Sequence, residues 1–444
     1  MPRNRRNKRN MNKIIETISN ENFRKIIIVI AIISICCIAI IGIRNYNDNL
    51  KVAKQKELLE RQLDAIFEDK SVSKSKNNIT NEVVNQTVQD NENQMSNEIT
   101  TISQEENTTV NIAIVGDILC GNAMLEDANI NGEYEFNYLF SDISKYLKEA
   151  DVAIGTMETN FTNSDYSGYL KCNSPHSFGQ AVKNSGINVI STAHNHSLDY
   201  DLQGLKNTNT NLKQMGFEVV GTKNTLEEKN YIVKDVEGIK IAFLAYTYGF
   251  SDGAIISTEA EKYVNKFSKE MAKQDLENAK KEAEYICIIM HWGEINNIGA
   301  TSQQKDVADF LIENGANMIV GSHPAVIEPM QIKQNSAGEN VFISYSVGNY
   351  TSSLGYENSN LEMILNVQIT KDNTGKVLLE KVTYTPVYMY DNGEKAGARN
   401  RFKLMDIKET AQKYLDGESD AVSKEVHDKL MEGLEKLEQI IRNI

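Results

Sequence analysis

The sequence of 444 residues has few cysteines, and they do not form a disulfide or metal pattern. Of the five, Cys36 and Cys37 fall in an apolar run, which leaves Cys120, Cys172 and Cys287. Three is an odd number, and no Cys-x-x-Cys pair occurs, so the spacing predicts neither a disulfide framework nor a zinc knuckle. We interpret the three as small buried residues, and a single disulfide between two of them stays open.

The sequence also lacks a basic stripe with interleaved aromatic residues, which argues against nucleic acid as a partner. The net charge is −14; the first 25 residues contain eight Lys or Arg and two Glu, so they carry +6 and the rest of the chain carries −20. Such an acidic domain repels anionic polymers at long range. An anionic substrate would therefore need a local positive site, such as metal ions.

The longest apolar run, residues 26–43, contains 18 residues without a charge, about the shortest length that crosses a membrane. The basic residues of 1–25 predict a cytoplasmic amino terminus, with everything after Arg44 outside the cell. A cleaved signal peptide is the alternative, but its apolar part is normally shorter and no small-x-small site follows Gly42. We therefore expect a single-pass anchor in the cell membrane.

Four further segments follow the anchor. Residues 44–70 are charged, with apolar residues at helical spacing, and predict a helical stalk. Residues 71–109 contain no aromatic residue and few large apolar ones, and predict a disordered linker. Residues 110–390 predict one large domain, and residues 391–444 a helical segment whose amphipathic helix packs on that domain.

Short apolar runs alternate with amphipathic stretches throughout the domain, which predicts a layered α/β fold. One long helix is expected over residues 262–284. Three successive strands are expected at 341–346, 361–370 and 376–386, and they suggest that the sheet ends in antiparallel hairpins.

Polar residues fall where five of the apolar runs end, and we expect them at one edge of one sheet. Each residue taken alone has an ordinary explanation, such as a turn, a solvated carboxylate or a buried imidazole. Together they indicate a metal site, and four of the six histidines in the chain lie just after predicted strands. The run-ending residues are Asp117, Glu158, Asn195 with His196, His291 and His323.

The ligand types indicate the chemistry. Carboxylate, amide and imidazole groups without thiolates suit Mn²⁺, Zn²⁺ or Fe, bound as one or two ions. Such ions polarise a phosphoryl or carbonyl oxygen and supply a hydroxide nucleophile near neutral pH. His196, next to the ligand Asn195, would protonate a leaving oxygen.

These residues lie in motifs whose order resembles the CapA family, bacterial capsule-biosynthesis proteins associated with poly-γ-glutamate. The resemblance covers about residues 110–352 and implies a fold similar to the calcineurin-like metallophosphatases, a sandwich of two sheets flanked by helices. The motifs are Gly116-Asp117, Met157-Glu158, His194-Asn195-His196, His291-Trp292-Gly293-Glu294, Gly321-Ser322-His323-Pro324 and Tyr345-Ser346-Val347-Gly348-Asn349.

The resemblance implies roles for particular residues. The implied metal ligands are Asp117, Glu158, Asn195, His291 and His323, and the implied general acid is His196. The implied supporting or substrate-binding residues are His194, Trp292, Glu294, Ser346 and Asn349.

Three positions depart from the family pattern. Ala325 stands where the family has the second His of His-Pro-His, and a methyl group cannot bind a metal. Thr156 replaces an amide before Glu158. Asn122 replaces an arginine that could hold an anionic substrate. The site is therefore expected to bind one ion instead of two, or to bind weakly, unless His194 substitutes.

The first functional hypothesis is a membrane-anchored extracellular protein in synthesis, export or trimming of poly-γ-glutamate or a related envelope polymer, acting by metal-dependent hydrolysis. The expected partners are an anionic polymer, the membrane and membrane subunits of a polymer synthase. The alternative is a non-catalytic protein on the same fold that binds or guides the polymer. A phosphodiesterase or nucleotidase unrelated to capsule is a third hypothesis, which rests on fold analogy.

Overall fold

The computed structural model describes residues 107–251, 256–393, 399–418 and 422–442. The predicted tail, membrane span and stalk, and the predicted linker up to residue 106, lie outside these ranges. Within them, no helix is both long enough and apolar enough to cross a membrane.

The first sheet has eight strands; one half of it is parallel and the other half is antiparallel. The central strands are buried on both faces, which explains why they occur in the sequence as continuous apolar runs. In spatial order the strands are β16 (Phe402–Asp406), β15 (Val377–Asp391), β14 (Leu361–Lys371), β1 (Thr108–Ile118), β4 (Val152–Thr156), β5 (Val189–Ser191) and β6 (Glu218–Val220), with β13 (Asn349–Thr351) paired to the end of β1.

The second sheet has six strands and is parallel at its centre. A separate hairpin consists of β2 (Asn129–Ile130) and β3 (Glu133–Tyr134). The strands of the second sheet, in spatial order, are β11 (Met330–Gln334), β12 (Asn340–Ser344), β10 (Met318–Ser322), β9 (Tyr285–His291), β8 (Ile239–Thr247) and β7 (Tyr231–Val236).

The two sheets correct part of the sequence prediction. The prediction that the five polar sites lie at one edge of one sheet is wrong. Strands β1, β4 and β5 belong to the first sheet, whereas β9 and β10 belong to the second. The antiparallel pair β14–β15 is confirmed. The strand predicted at 341–346, however, is β12, which pairs with β10 and β11 in the second sheet. An apolar run shows that a strand is buried and does not identify its neighbour.

Helices cover the sheets with their apolar faces. Phe178 and Leu212 belong to the core cluster of the first sheet, and Leu276 and Leu311 to that of the second. The helices are α1 (Asn122–Ala128), a 3₁₀ helix (Asn137–Phe140), α2 (Ser144–Lys148), α3 (His176–Asn184), α4 (Asp201–Gln214), α5 (Thr258–Glu261), α6 (Lys269–Ala279), α7 (Ser302–Glu313), α8 (Ile407–Asp416) and α9 (Lys424–Ile440).

Two predicted boundaries differ from the structure. The helix expected over 262–284 is only α6, because the Ser268 side chain caps its start by accepting a hydrogen bond from the Met271 amide. The domain also continues past residue 390, because β16 adds an antiparallel strand to β15. The packing of the last helix is confirmed, since Leu430 and Leu434 of α9 lie in one apolar cluster with Met405 and Ile407.

The chain passes from the second sheet to the first through residues 345–349, here called the crossing segment. The Gly348 carbonyl accepts a hydrogen bond from the Asp117 amide at 3.1 Å, and the Val347 amide donates to the Gly321 carbonyl at 3.0 Å. A Cβ on Gly116 would lie 1.8 Å from the Gly348 oxygen, and one on Gly321 would lie 1.8 Å from the Tyr345 oxygen. Both strands therefore need glycine where the crossing segment passes.

Gly321→Ala should destabilise the domain by about 3 kcal/mol or prevent folding, because the added methyl would push the crossing segment away from β10. Thermal unfolding of the full-length chain measures this. Gly299→Ala is the matched control, since its nearest atom would lie 3.8 Å away and its backbone is not in the left-handed region. Equal unfolding midpoints for the two variants would contradict the packing role assigned to Gly321.

Candidate metal centre

The predicted site residues come together from the carboxyl ends of both sheets. Asp117 lies at the end of β1, Glu158 lies two residues after β4, and Asn195 lies in the turn between β5 and α4. His291 ends β9, and His323 directly follows β10. The site thus lies where strand ends of the two sheets meet.

Four of these side chains lie close together, with three of them near the Nε2 atom of His291. The Nε2 atom of His291 lies 2.9 Å from Asn195 Oδ1, 3.1 Å from His323 Nδ1 and 3.7 Å from Glu158 Oε1. Ligand atoms of Glu158, His291 and His323 all lie within 4.8 Å of one another, and the three residues are buried. We call Glu158, Asn195, His291 and His323 the donor set.

Asp117 lies next to the donor set but on another side of His291. Its Oδ2 atom accepts a hydrogen bond from the His323 backbone amide at 2.7 Å. Its Oδ1 atom lies 3.4 Å from Nδ1 of His291, and Ser322 Oγ lies 3.1 Å from the same nitrogen. Asp117 therefore contacts two residues of the donor set, His291 and His323.

The electrostatics of the buried groups fit a divalent cation. Burial, with Asp117 and Asp199 nearby, raises the pKa of Glu158 well above its usual range, and burial raises the pKa of Asp117 to about 6. Within the described ranges, the ion pairs of these two carboxylates are with His291 alone. A divalent ion would supply the missing positive charge.

The imidazoles of the donor set are in the form that binds metals. Burial, together with His196, lowers the pKa of His291 well below its usual range, and burial with His291 lowers the pKa of His323 to about 3. Both rings are therefore neutral at physiological pH, and a neutral imidazole is the ligand form. The residues present fit a divalent ion, whose identity the donor types leave open among Mn²⁺, Zn²⁺ and Fe.

His196 lies beside the donor set with its ring oriented by two other groups. Its Nδ1 atom lies 2.8 Å from Asp199 Oδ2 and 3.2 Å from Ser251 Oγ, and Tyr169 lies edge-on at 5.8 Å between ring centres. Asp199 and Ser251 were not among the residues predicted from the sequence. Asp199 lies three residues after His196 in the same turn, so its contact with His196 could have been predicted from the sequence. Ser251 lies 55 positions from His196, and no sequence pattern indicates that the two residues meet.

Two of the predicted supporting residues do not reach the donor set. Trp292 is buried in the core of the second sheet, and its Nε1 donates to the Tyr345 carbonyl at 2.8 Å. Glu294 is exposed to solvent. Trp292 thus anchors the start of the crossing segment, and Glu294 lies on the surface.

Ser346 and Asn349 support the backbone that follows His323. Ser346 Oγ donates to the Val326 carbonyl at 2.7 Å, and Asn349 Nδ2 donates to the Ala325 carbonyl at 3.2 Å. Ala325 itself is buried and has a positive φ of 61°. The two side chains therefore hold the loop of His323 in place.

His194 and Tyr248 flank the two imidazoles of the donor set. His194 is buried, its Nδ1 lacks a hydrogen-bond partner among the described residues, and its ring centre lies 6.1 Å from that of His291. The ring of Tyr248 lies 4.8 Å from that of His323. His194 was predicted from the sequence as a supporting residue, whereas Tyr248 was not.

Residues 111–353, more than half of the chain, match the family described as "Bacterial capsule synthesis protein PGA_cap". The chain belongs to this family. The family resemblance predicted from the motifs is therefore confirmed. The mixed α/β architecture with sheets flanked by helices is also as predicted.

Two relatives of this PGA_cap chain have curated names. "Capsule biosynthesis protein CapA" of Bacillus anthracis is 27% identical over 299 residues, which cover 65% of this chain and 70% of the relative. "PGA biosynthesis protein CapA" of Bacillus subtilis is 25% identical over 275 residues, which cover 60% and 69%.

Solved structures with a related outline include two nucleotidases. The Haemophilus influenzae NAD nucleotidase has a TM-score of 0.41 at 13% identity, over 75% of this chain and 68% of that one. A putative 5′-nucleotidase from Staphylococcus aureus has a TM-score of 0.41 at 11% identity, over 63% and 54%. TM-scores this low do not support a shared activity.

Mn²⁺ or Zn²⁺ should raise the unfolding midpoint of the metal-stripped full-length chain, because an ion that binds only the folded state stabilises it by about 2.7 kcal/mol at a free concentration of 100 Kd. His323→Ala should lose most of this gain. His176→Ala removes an exposed histidine of α3 and serves as the control. An equal gain in both variants would rule out the donor set.

Metal affinity should fall as the pH is lowered. A proton on Glu158 competes with the ion, because the pKa of this carboxyl is raised in the metal-free chain, whereas the neutral imidazoles of His291 and His323 hold no proton to displace. Binding should therefore release a proton at any pH at which Glu158 is protonated in the metal-free chain. Calorimetry in two buffers of different ionisation enthalpy measures that release, and Glu158→Gln should abolish it. Metal binding without proton release in the unmodified chain would contradict this assignment.

Proposed function

We propose that this protein is anchored in the cell membrane with its domain outside the cell, and that it takes part in making, exporting or trimming poly-γ-glutamate or a related envelope polymer. Membership of the PGA_cap family and the names of the two CapA relatives support the polymer. The uncharged run at 26–43, preceded by a basic tail, supports the anchor.

We propose further that the domain is a metal-dependent hydrolase. The observation that carries this is the donor set, in which a carboxylate, an amide oxygen and an imidazole nitrogen converge on His291 Nε2 from the ends of both sheets. A divalent ion held there would polarise a carbonyl or phosphoryl oxygen of the substrate and activate water as the nucleophile.

His196 is the proposed proton donor. Asp199 accepts a hydrogen bond from Nδ1 at 2.8 Å, so the proton that the ring gains and loses during the reaction is the one on Nε2. The carboxylate of Asp199 also stabilises the charged imidazolium. A proton passed from Nε2 to the leaving oxygen would complete the cleavage.

An anionic substrate has to overcome the negative charge of this chain. Within the described ranges, neither Asp117 nor Glu158 pairs with a lysine or arginine, so the ion is the positive group that would attract a carboxylate or phosphate. The proposed partners are therefore an anionic polymer at the domain, the membrane at the amino terminus and membrane subunits of a polymer synthase.

One observation favours a second candidate, a non-catalytic protein that binds or guides the polymer. Ala325 is a buried methyl group, 3% exposed, in the loop that carries His323, where the family resemblance predicts a second histidine. A centre that lacks this ligand could retain an ion and the fold while having lost hydrolysis.

Complementation of a strain that lacks this gene separates the two candidates. If the domain hydrolyses the polymer, His196→Gln should fail to restore the normal amount and chain length of the envelope polymer, because the leaving oxygen has no proton donor. His176→Gln, an exposed histidine exchanged for the same residue, should restore both. Protein level and bound metal, measured on the same variants, show whether His196→Gln is intact.

The outcomes are distinct. Full restoration by His196→Gln would reject hydrolysis and favour the polymer-binding candidate, which the purified full-length chain should then confirm by binding poly-γ-glutamate without shortening it. An unchanged polymer in the deletion strain would reject the role in the envelope polymer altogether.

A further inference from the structure

The loop between β4 and α3 carries two large side chains that are exposed to solvent at its tip. Tyr169 is 51% exposed, and Leu170, at 69%, is the most exposed large apolar residue in the described part of the chain. Neighbouring apolar side chains that a loop holds in solvent are a feature of contact sites for ligands and partners. We call residues 161–174 the tip loop.

Backbone hydrogen bonds hold the tip loop at its base and close to its tip. The Asn160 amide donates to the Cys172 carbonyl at 3.0 Å, and the Ser174 amide donates to the Asn160 carbonyl at 2.8 Å. Ser167 and Asn173 exchange a pair of backbone hydrogen bonds, at 3.0 and 2.9 Å. The exposure of the two large side chains is therefore a property of a well-bonded loop.

The tip loop is also tied to the turn that carries His196. The Nδ2 atom of Asn160 donates to the His196 carbonyl at 3.1 Å, and the ring of Tyr169 lies edge-on to that of His196, with 5.8 Å between their centres. The Tyr169 hydroxyl forms no hydrogen bond with any described residue. Tyr169 therefore presents an open ring surface and a hydroxyl donor directly beside the proposed proton donor.

Asn122 fixes the position of the tip. Its Oδ1 atom accepts a hydrogen bond from the Gly168 amide at 2.7 Å. The two backbones lie so close that a Cβ on Gly168 would be 2.4 Å from the Asn122 nitrogen. The family resemblance predicts an arginine at position 122, which could hold an anionic substrate. In this chain the side chain at that position instead orients the residue that precedes Tyr169.

A positive charge is nevertheless present on the loop that Asn122 holds. Lys171 follows Tyr169 by two residues, and its Nζ atom lies 5.9 Å from the centre of the Tyr200 ring. Lys171 forms no ion pair with any described residue. In a chain that carries −20 outside its first 25 residues, a lysine without a carboxylate partner is suited to pair with an anionic group of a ligand.

We propose that Tyr169, Leu170 and Lys171 form a binding subsite for one unit of the polymer, a unit with an aliphatic stem and a carboxylate, as in a glutamyl residue. The stem packs against the ring of Tyr169 and the side chain of Leu170. The carboxylate pairs with the Lys171 ammonium. Asn122 is a positioning residue, because it acts on the ligand only through the tip loop.

The subsite rests on the polymer ligand proposed above, and it applies to the hydrolase and to the polymer-binding candidate alike. In the hydrolase, the unit in the subsite is the leaving one. The reason is that the subsite lies beside His196, which delivers its proton to the leaving group.

Hydroxyl-radical footprinting of the full-length chain, with and without poly-γ-glutamate, tests the contact directly. The polymer should lower the oxidation of Tyr169 and Leu170 several-fold. Leu415 on α8, which is 67% exposed, is the internal control matched to Leu170 and should stay equally reactive. Fluorescence anisotropy of a short labelled poly-γ-glutamate chain measures binding in the same samples.

Variants separate the parts of the subsite. Tyr169→Ala should weaken polymer binding about 10-fold, as expected for a central contact residue, whereas Tyr169→Phe should keep most of the affinity because the ring remains. Lys171→Gln should weaken binding and reduce its dependence on salt, and Lys171→Arg should restore both. Tyr166→Ala is the control, since Tyr166 is 45% exposed on the same loop but lies edge-on to Tyr134.

A double-mutant comparison tests the positioning role of Asn122. Asn122→Ala should weaken binding in the otherwise unmodified chain, because the tip loop loses the hydrogen bond to Gly168. The same substitution should have no further effect in a chain that already carries Tyr169→Ala and Lys171→Gln. An equal loss in both backgrounds would reject the positioning role.

The remaining outcomes are distinct. Polymer binding that leaves Tyr169 and Leu170 fully reactive would overturn the subsite and leave the proposed function intact, as would equal weakening by Tyr169→Ala and Tyr166→Ala. A chain that binds no poly-γ-glutamate, with or without Mn²⁺, would overturn the subsite together with the proposed polymer ligand. If a variant does not fold, the footprint of the unmodified chain still decides.

Discussion

Residues 345–349 pass from the second sheet to the first between two glycines, and this passage holds the ends of the site-bearing strands together. A backbone carbonyl lies so close to Gly116 and to Gly321 that neither position has room for a methyl group. The same contact sets the separation between the ends of β1 and β10. Asp117 can therefore reach the amide of His323, although the two residues belong to different sheets and are 206 positions apart.

The strands and the residues at their ends could be predicted from the sequence, because a strand buried on both faces is an uninterrupted apolar run and the turn after it is polar. The neighbouring strand with which each strand pairs could not be predicted in the same way. The run at 341–346 has the same pattern whether it pairs with β14 or, as observed, with β10 and β11. The helix expected at 262–284 was too long, since the cap at Ser268 decides its start and charged residues on either side continue the pattern.

The chemical types of the ligands could also be predicted from the sequence, but the roles of the individual residues could not. A carboxylate after Gly116 looks the same in sequence whether it belongs to the donor set or lies beside it, and the structure places Asp117 Oδ1 3.4 Å from Nδ1 of His291. Ser346 and Asn349 were expected near the site because of the family resemblance. In the structure they hold the backbone at 325–326, a function that depends on contacts across about 20 residues of chain.

Binding of an ion at the donor set would also depend on correct packing of the two sheets against each other. Glu158 and Asn195 are delivered by one sheet and His291 and His323 by the other, so no half of the domain can form the coordination sphere alone. Binding of an ion at the donor set would therefore stabilise the packing of the two sheets against each other. By the same coupling, packing of the sheets would be required for the ion to bind. A core substitution far from the centre that loosens this docking would weaken metal binding without touching a ligand. Conversely, a shortage of metal would lower the stability of the whole domain.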